Sequence, residues 1–202
     1  MLDKLKKNII LYSNSDIPHY AQILETLEKY FNVTDLTTTK DQYSPGMYLA
    51  EIADAHLIVS AFNPVILKGN SLGLPNVNIH GAPEWYPGFG GIARALVEKR
   101  DRHGVVAHRM TELVDAGQIV DAEYFSIEND DTFQTITSKV FHASLILLER
   151  IASTFAMTGD LPNPIGKSWG AERMSFAELN VWIDKLDEKS RLVLKEIYKP
   201  WG

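Results

Sequence analysis

The chain has 202 residues, 45% hydrophobic and 23% charged, ordinary proportions for a globular chain long enough to bury a core. It has no cysteine, which excludes disulfides, thiolate chemistry and Cys-ligated zinc or iron–sulfur sites. Its net charge is −6, and nine basic residues balance nine acidic ones from Asp131 onward, so no basic tail offers phosphates a partner and no nucleic-acid partner is expected.

The start, MLDKLKKNIILYSNSD, carries only four consecutive apolar residues after its basic stretch, too few for a signal-peptide core. No other run reads as a membrane span, so a cytoplasmic protein with no membrane partner is expected. NIILY, residues 8–12, is a short apolar run that reads as a buried strand. Pro18 suits the first turn of a helix through AQILETLEKY, with Ile23, Leu24, Leu27 and Tyr30 at helical spacing. Residues 33–36 form a second strand, 47–53 a short helix, and 56–62 (HLIVSAF) a third strand that Pro64 discourages from continuing. This β-α-β-α-β order indicates an α/β fold with a parallel sheet and right-handed crossovers.

Residues 77–80 form the next strand, and 92–100 a helix after a Gly-rich loop. Residues 105–110 and 119–125 read as two strands about a turn at Asp115-Ala116-Gly117. A long amphipathic helix follows, roughly 131 to 156, with Asp and Thr at its start and Val140, Leu147, Leu148 and Ile151 near one face. The turn-rich stretch 158–170 is a boundary. Ser175-Phe-Ala-Glu178 fits a capping box for a short helix, and 188–199 is one more amphipathic segment.

The chemistry concentrates in NVNIHGAPEWYPGFGG, residues 76–91. Asn78 and His80 are two apart on a strand, so both point to one face. They sit at the strand's carboxyl end, where open α/β sheets bind ligands. An amide and an imidazole there can both meet one carbonyl oxygen, and they become an oxyanion site if that oxygen gains charge. Such a pair also serves simply to cap a strand and make a turn. His108 either lines the same pocket or does not, and His103, beside Asp101 and Arg102, reads as a solvated loop residue. His80, His108 and Asp115 would make an acceptable zinc set, but their spacing is not that of a recognised zinc motif, and no metal is expected.

Asn78-Ile-His80, the Pro/Gly-rich loop, and HGVVAHRMTELVDAGQIV with Asp115, taken in this order, resemble the folate-dependent formyltransferases. That family includes glycinamide ribonucleotide transformylase, methionyl-tRNA formyltransferase and the amino-sugar N-formyltransferases. The 35 residues from His80 to Asp115 are close to the family's spacing. The resemblance is strong over 57–126, fair through 157, and weak before 50. It implies a Rossmann-like formyltransferase fold, with a mostly parallel central sheet, helices on both faces and a small C-terminal helical extension. It divides the chain into a catalytic domain, 1–157, and an extension, 158–202, packed on it.

The resemblance also implies a reaction: transfer of a formyl group from 10-formyltetrahydrofolate to a primary amine, with Asn78, His80 and Asp115 as the catalytic trio and no metal. The pterin would lie against backbone at Val65, Ile66 and Leu67, and against a second loop with His108, Met110, Thr111 and Leu113. Taken without the family, Val65-Ile66-Leu67 reads as core. Where purine-type transformylases carry a Gly-rich phosphate loop after the first strand, this chain has LYSNSDIPHY, leaving Ser13 and Asn14 as donors to substrate. The tRNA-directed enzymes carry a large basic C-terminal domain, which the charge-balanced residues after the long helix do not resemble. Trp85, Tyr86 and Phe89 suit stacking on a base or pyranose face, or else they pack the loop onto the body. SWGAERMSFAELN resembles the tail of the amino-sugar branch. The expected acceptor is thus the amine of a nucleotide-linked sugar. A glycinamide ribonucleotide transformylase-like enzyme and a non-catalytic folate- or sugar-binding homologue remain as alternatives. A homodimer is expected from the family.

Overall fold

The computed structural model describes residues 6–14, 17, 19–36, 53–63, 67 and 69–198. The elements run β1 (Asn8–Tyr12), α1 (Tyr20–Glu28), β2 (Asn32–Asp35), β3 (Leu57–Ala61), a 3-10 turn (Gly69–Gly73), β4 (Asn76–His80), α2 (Gly91–Val97), β5 (Arg102–His108), β6 (Ile119–Ser126), α3 (Phe133–Thr158), α4 (Phe176–Ile183) and α5 (Glu188–Tyr198). One six-stranded sheet has the order β2-β1-β3-β4-β5-β6. Pairings from β2 through β4 are parallel, and β5 runs antiparallel to both of its neighbours. This is the mostly parallel, Rossmann-like α/β arrangement expected. The short helix expected over 47–53 lies outside the described residues, apart from its last position.

Side-chain alternation divides the sheet into two faces with different tasks. Ile9, Leu11, Leu57, Val59, Val77, Ile79, Val105 and Ala107 join α1 and α3 in the main core, which includes Ile23, Leu27, Ile136, Leu147, Ile151 and Phe155. The alternate positions face the other way. Ile10, Tyr12 and Ile58 make a smaller apolar cluster with Leu67, and Ser60, Asn78, His80 and His108 stand beyond it on the same side.

α3 begins at Thr132, whose side chain accepts from Thr135 N while Thr135 Oγ1 accepts from Thr132 N, and it ends at Gly159 in the left-handed conformation (φ 82°). By length and composition α3 could cross a membrane, contrary to the expectation that no run could. Its apolar stripe is covered by the sheet and α1, as in a core helix. The Ser175–Glu178 capping box of α4 is formed in both directions.

The largest departure from expectation is β5. It starts at Arg102, three residues early, because His103 and Gly104 pair with Phe125 and Tyr124 of β6. His103 is therefore no loop residue. It is fully buried, between the rings of Tyr86 and Phe125. Flanking charge and glycine marked DRHG as a loop, and the tertiary hairpin overrode that local signal.

Candidate functional site

At the carboxyl end of β4 a cleft opens between the β3, β5–β6 and β4–α2 loops. Asn78 and His108 are register partners across β4 and β5, and their side chains meet, Asn78 Nδ2 lying 3.1 Å from His108 Nε2. Asp115 enters from the β5–β6 turn in the left-handed region (φ 46°). That posture directs Oδ2 to 3.5 Å from His80 Nδ1 and Oδ1 to 3.3 Å from His108 Nε2. Gly88 N donates to Oδ2 at 2.8 Å. Gly88 sits at φ 84°, and a Cβ there would overlap the Met174 carbonyl oxygen, so only glycine brings this amide to the carboxylate. At Gly117 a side chain would overlap the Arg109 carbonyl oxygen, next to the Arg109 N to Gln118 O bond that closes the turn.

The remaining nitrogens settle where protons sit. His80 Nε2 lies 3.0 Å from Tyr86 O, and His108 Nδ1 lies 2.9 Å from Arg109 O. A carbonyl only accepts, so each of these nitrogens carries a hydrogen. His108 Nε2 faces both the Asn78 amide and Asp115 Oδ1, and His80 Nδ1 faces Asp115 Oδ2, so a proton on either nitrogen would be held by the carboxylate. Burial of Asp115 pushes its carboxyl up, but the two imidazoles and the Gly88 amide outweigh this and hold it at about 2. Burial lowers His80 below its ordinary value against the pull of Asp115. The site thus holds a carboxylate behind an imidazole whose burial disfavours its charged form and which can receive one proton.

Of the expected site residues, Asn78, His80, His108 and Asp115 come together at the floor of this cleft, with Leu67, Met110, Thr111, Leu113 and Phe89 around it. Val65 and Ile66 lie outside the described residues. Ser13 and Asn14 do not line the cleft, and the buried Ser13 hydroxyl donates to Ala61 O at 2.8 Å. Tyr86 and Trp85 do not line it either. Tyr86 is buried in the body, its hydroxyl donating to Glu98 Oε2 at 2.6 Å and its ring lying under the Arg94 guanidinium. Burial and Glu98 push its phenol up to about 12. Its contribution to the site is its backbone oxygen. Trp85 stacks on Tyr124 (5.8 Å, 7°) and lines a separate surface cleft with Arg100 and Arg102. Phe89 alone of the three aromatics reaches the lip, 41% exposed and edge-on to Phe176.

Sequence reasoning assigned no role to the segment that closes the site from behind. Residues 165–174 form a strap after α3. Ile165 N donates to Ile119 O, Gly170 N to Glu84 O and Met174 N to Pro87 O, while Phe89 N donates back to Met174 O. Trp169 Nε1 donates to Gly117 O at 2.7 Å, and Arg173 to Asp115 O at 3.0 Å. The indole lies edge-on to both imidazoles, 5.6 Å from His80 and 4.9 Å from His108. The signal in the sequence was SWGAERMSFAELN, read only as a resemblance to the tail of the amino-sugar branch. Asn76 was also passed over: its Oδ1 accepts from Met110 N, fastening the cleft rim to β4.

A family model described as formyl transferase matches residues 28–151. Phosphoribosylglycinamide formyltransferase of Dictyostelium discoideum is 29% identical over 149 residues, covering 64% of this chain and 71% of that protein. Among solved structures, a sugar N-formyltransferase from Shewanella sp. superposes with a TM-score of 0.70 at 15% identity, covering 90% of this chain and 81% of the other. The formyltransferase PseJ of Anoxybacillus kamchatkensis, solved with UDP-4,6-dideoxy-4-formamido-L-AltNAc and tetrahydrofolate, gives 0.69 at 17% identity over 91% of this chain and 94% of the other. The family model spans more than half of the chain, with β4, β5 and Asp115 inside the matched region, and the chain belongs to the formyl transferase family.

Proposed function

We propose that this formyl transfer enzyme moves the formyl group of 10-formyltetrahydrofolate to the primary amine of a nucleotide-linked amino sugar, with Asn78, His80 and Asp115 as its catalytic residues. The observation that carries the chemistry is the approach of Asp115 Oδ2 to within 3.5 Å of His80 Nδ1 at the floor of an apolar-lipped cleft. The neutral amine attacks the formyl carbon, and the new carbon–nitrogen bond leaves a tetrahedral centre with a charged oxygen. The Asn78 carboxamide nitrogen has two hydrogens, one turned to His108, and the second is offered to that oxygen. His80 Nε2–H keeps its bond to Tyr86 O, which holds the ring with Nδ1 towards Asp115. His80 Nδ1 takes the proton that the amine loses, forming an ion pair with Asp115. As the bond from carbon to the folate N10 breaks, that proton passes to N10. The products are a formamide and tetrahydrofolate, with no net change in the protein.

The cosubstrate reading rests on family membership and on the cleft's rim, where exposed Leu113 and Val114 and the Met110–Leu113 backbone suit a flat heterocycle. Two observations favour a sugar over glycinamide ribonucleotide. The solved relative holding a formamido sugar nucleotide matches over nearly the whole of both chains. The carboxyl end of β1 carries Ser13, hydrogen-bonded to Ala61 O, where a phosphate loop would be needed. Phe89 at the lip is the aromatic placed to meet base or sugar. A panel of amines offered with 10-formyltetrahydrofolate tests this. Formylation of nucleotide-linked amino sugars is expected, and turnover of glycinamide ribonucleotide with no amino sugar accepted would overturn the acceptor assignment.

A further inference from the structure

The strap belongs to the site as much as the strands do. His80 draws its polar contacts from two loops: a hydrogen bond to Tyr86 O in the β4–α2 loop, and Asp115 at 3.5 Å in the β5–β6 turn, where Gly88 N also reaches. The strap is fastened to both. It bonds Glu84, Pro87 and Phe89 on one side, and Gly117 and Asp115 on the other. Between these anchors Trp169 is wedged against both imidazoles at near-perpendicular angles, 73° to His80 and 89° to His108. Its Nε1 bond to Gly117 O fixes the indole two residues from Asp115. Gly170 carries no side chain, and a Cβ there would press on the Trp85 backbone, so the strap lies flush on the loop it braces.

We propose that Trp169 is a positioning residue for the formyl transfer reaction: its indole holds the His80 ring in line with Asp115 and keeps water from the contact between them. The proposal deepens the reading of the site given above and rests on it. Trp169 does not line the cleft, so it acts on the imidazoles and not by touching substrate. Burial is the largest influence lowering the proton affinity of His80, and the indole is part of what buries it. The charged or titratable groups around His80 are Asp115 from the β5–β6 turn, His108 and His103 from β5, and Arg173 from the strap through Asp115 O. None of these changes when the indole alone is removed.

The test compares wild type, Trp169→Phe and Trp169→Ala in two measurements. The first is a titration of histidine-labelled protein by NMR, with the His80 signal assigned from a His80→Gln sample, and it needs no substrate. In Trp169→Ala the His80 titration should move up toward its ordinary value as water enters. In Trp169→Phe, which keeps an aromatic edge, it should stay close to wild type. The second is the pH profile of kcat with the acceptor found in the amine panel. The acid limb should shift with the NMR value, and kcat should fall at least about tenfold in Trp169→Ala while KM for the folate is unchanged. If Trp169→Ala fails to fold, Trp169→Leu takes its place, since it removes the aromatic edge and keeps bulk. An unmoved His80 titration in the folded Ala or Leu variant would overturn the proposal. A shifted titration in a wild type that formylates no amine would overturn the functional reading and leave the role of Trp169 on the His80 ring in place.

Discussion

β5 carries two buried histidines five residues apart, on opposite faces of the same sheet. His108 faces the cleft and meets Asn78, Asp115 and the Arg109 carbonyl. His103 faces the helices, and its ring nitrogens have no side-chain partner among the described residues, only the backbone of Gly91 and Gly104 nearby. Burial has pushed His103 down to about 4. The two share residue type, strand and burial, and they differ in the company they keep. The candidate chemistry therefore lies in the set of partners, chiefly Asp115, and not in a buried imidazole as such.

The comparison can be broken most forcefully on the cleft side. His80→Ala should lower kcat by roughly 10²–10⁴ while folate affinity, measured by fluorescence quenching, hardly changes, because its role is confined to the transition state. Near-normal turnover would remove His80 from the mechanism. On the helix side the effect should be on stability. The folded-state value of His103, about 4, lies below its ordinary 6.5, so between these values the unfolded chain takes up a proton that the folded chain refuses. That contribution is intact above pH 6.5 and is lost as pH falls toward 4, amounting to about 3 kcal/mol. Urea unfolding at pH 7 and pH 4.5 should show this loss in wild type. His103→Leu should reduce it, with turnover at pH 7 little altered. An equal acid loss in both proteins would show that His103 is not its source.

Two smaller effects sharpen the picture of the loop between β4 and α2. Gly88→Ala forces a side chain into the left-handed region and against Met174. It should cost roughly 1–3 kcal/mol in urea unfolding and reduce turnover, because Gly88 N also holds Asp115. Stability equal to wild type would mean that the strap yields freely. Trp85→Ala should leave turnover within about twofold of wild type, since Trp85 packs on Tyr124 away from the cleft. A large rise in KM for the acceptor on that substitution would return Trp85 to the substrate site.

These differences also mark what the sequence could convey. Alternation along NVNIH was enough to place Asn78 and His80 on one face, because strand periodicity is a local property, whereas Asp115 was singled out by the resemblance of the ordered motifs to the formyltransferase family. The same locality made β1 and β3 readable from short apolar runs. The aromatics of GAPEWYPGFGG were not separable this way. An irregular loop has no period, so Phe89 at the lip, Tyr86 in the body and Trp85 on a far surface look alike in one dimension. His103 was misplaced for a related reason: the burial of DRHG depends on its pairing with Tyr124 and Phe125, some twenty residues on. Trp169 lay further out of reach, since its contact with His80 crosses 89 positions and follows only from the path of the strap.

In the proposed reaction Asp115, through His80, drives transfer of a formyl group to an amine. This role is tested most directly by comparing wild type and Asp115→Asn under saturating 10-formyltetrahydrofolate with nucleotide-linked amino sugars as acceptors, following formamide formation and folate binding in the same samples. The account predicts turnover by wild type and a loss of roughly 10²-fold or more in Asp115→Asn, with folate binding preserved in both. Undiminished turnover in Asp115→Asn, or a wild type that binds folate and formylates none of the amines, would contradict it.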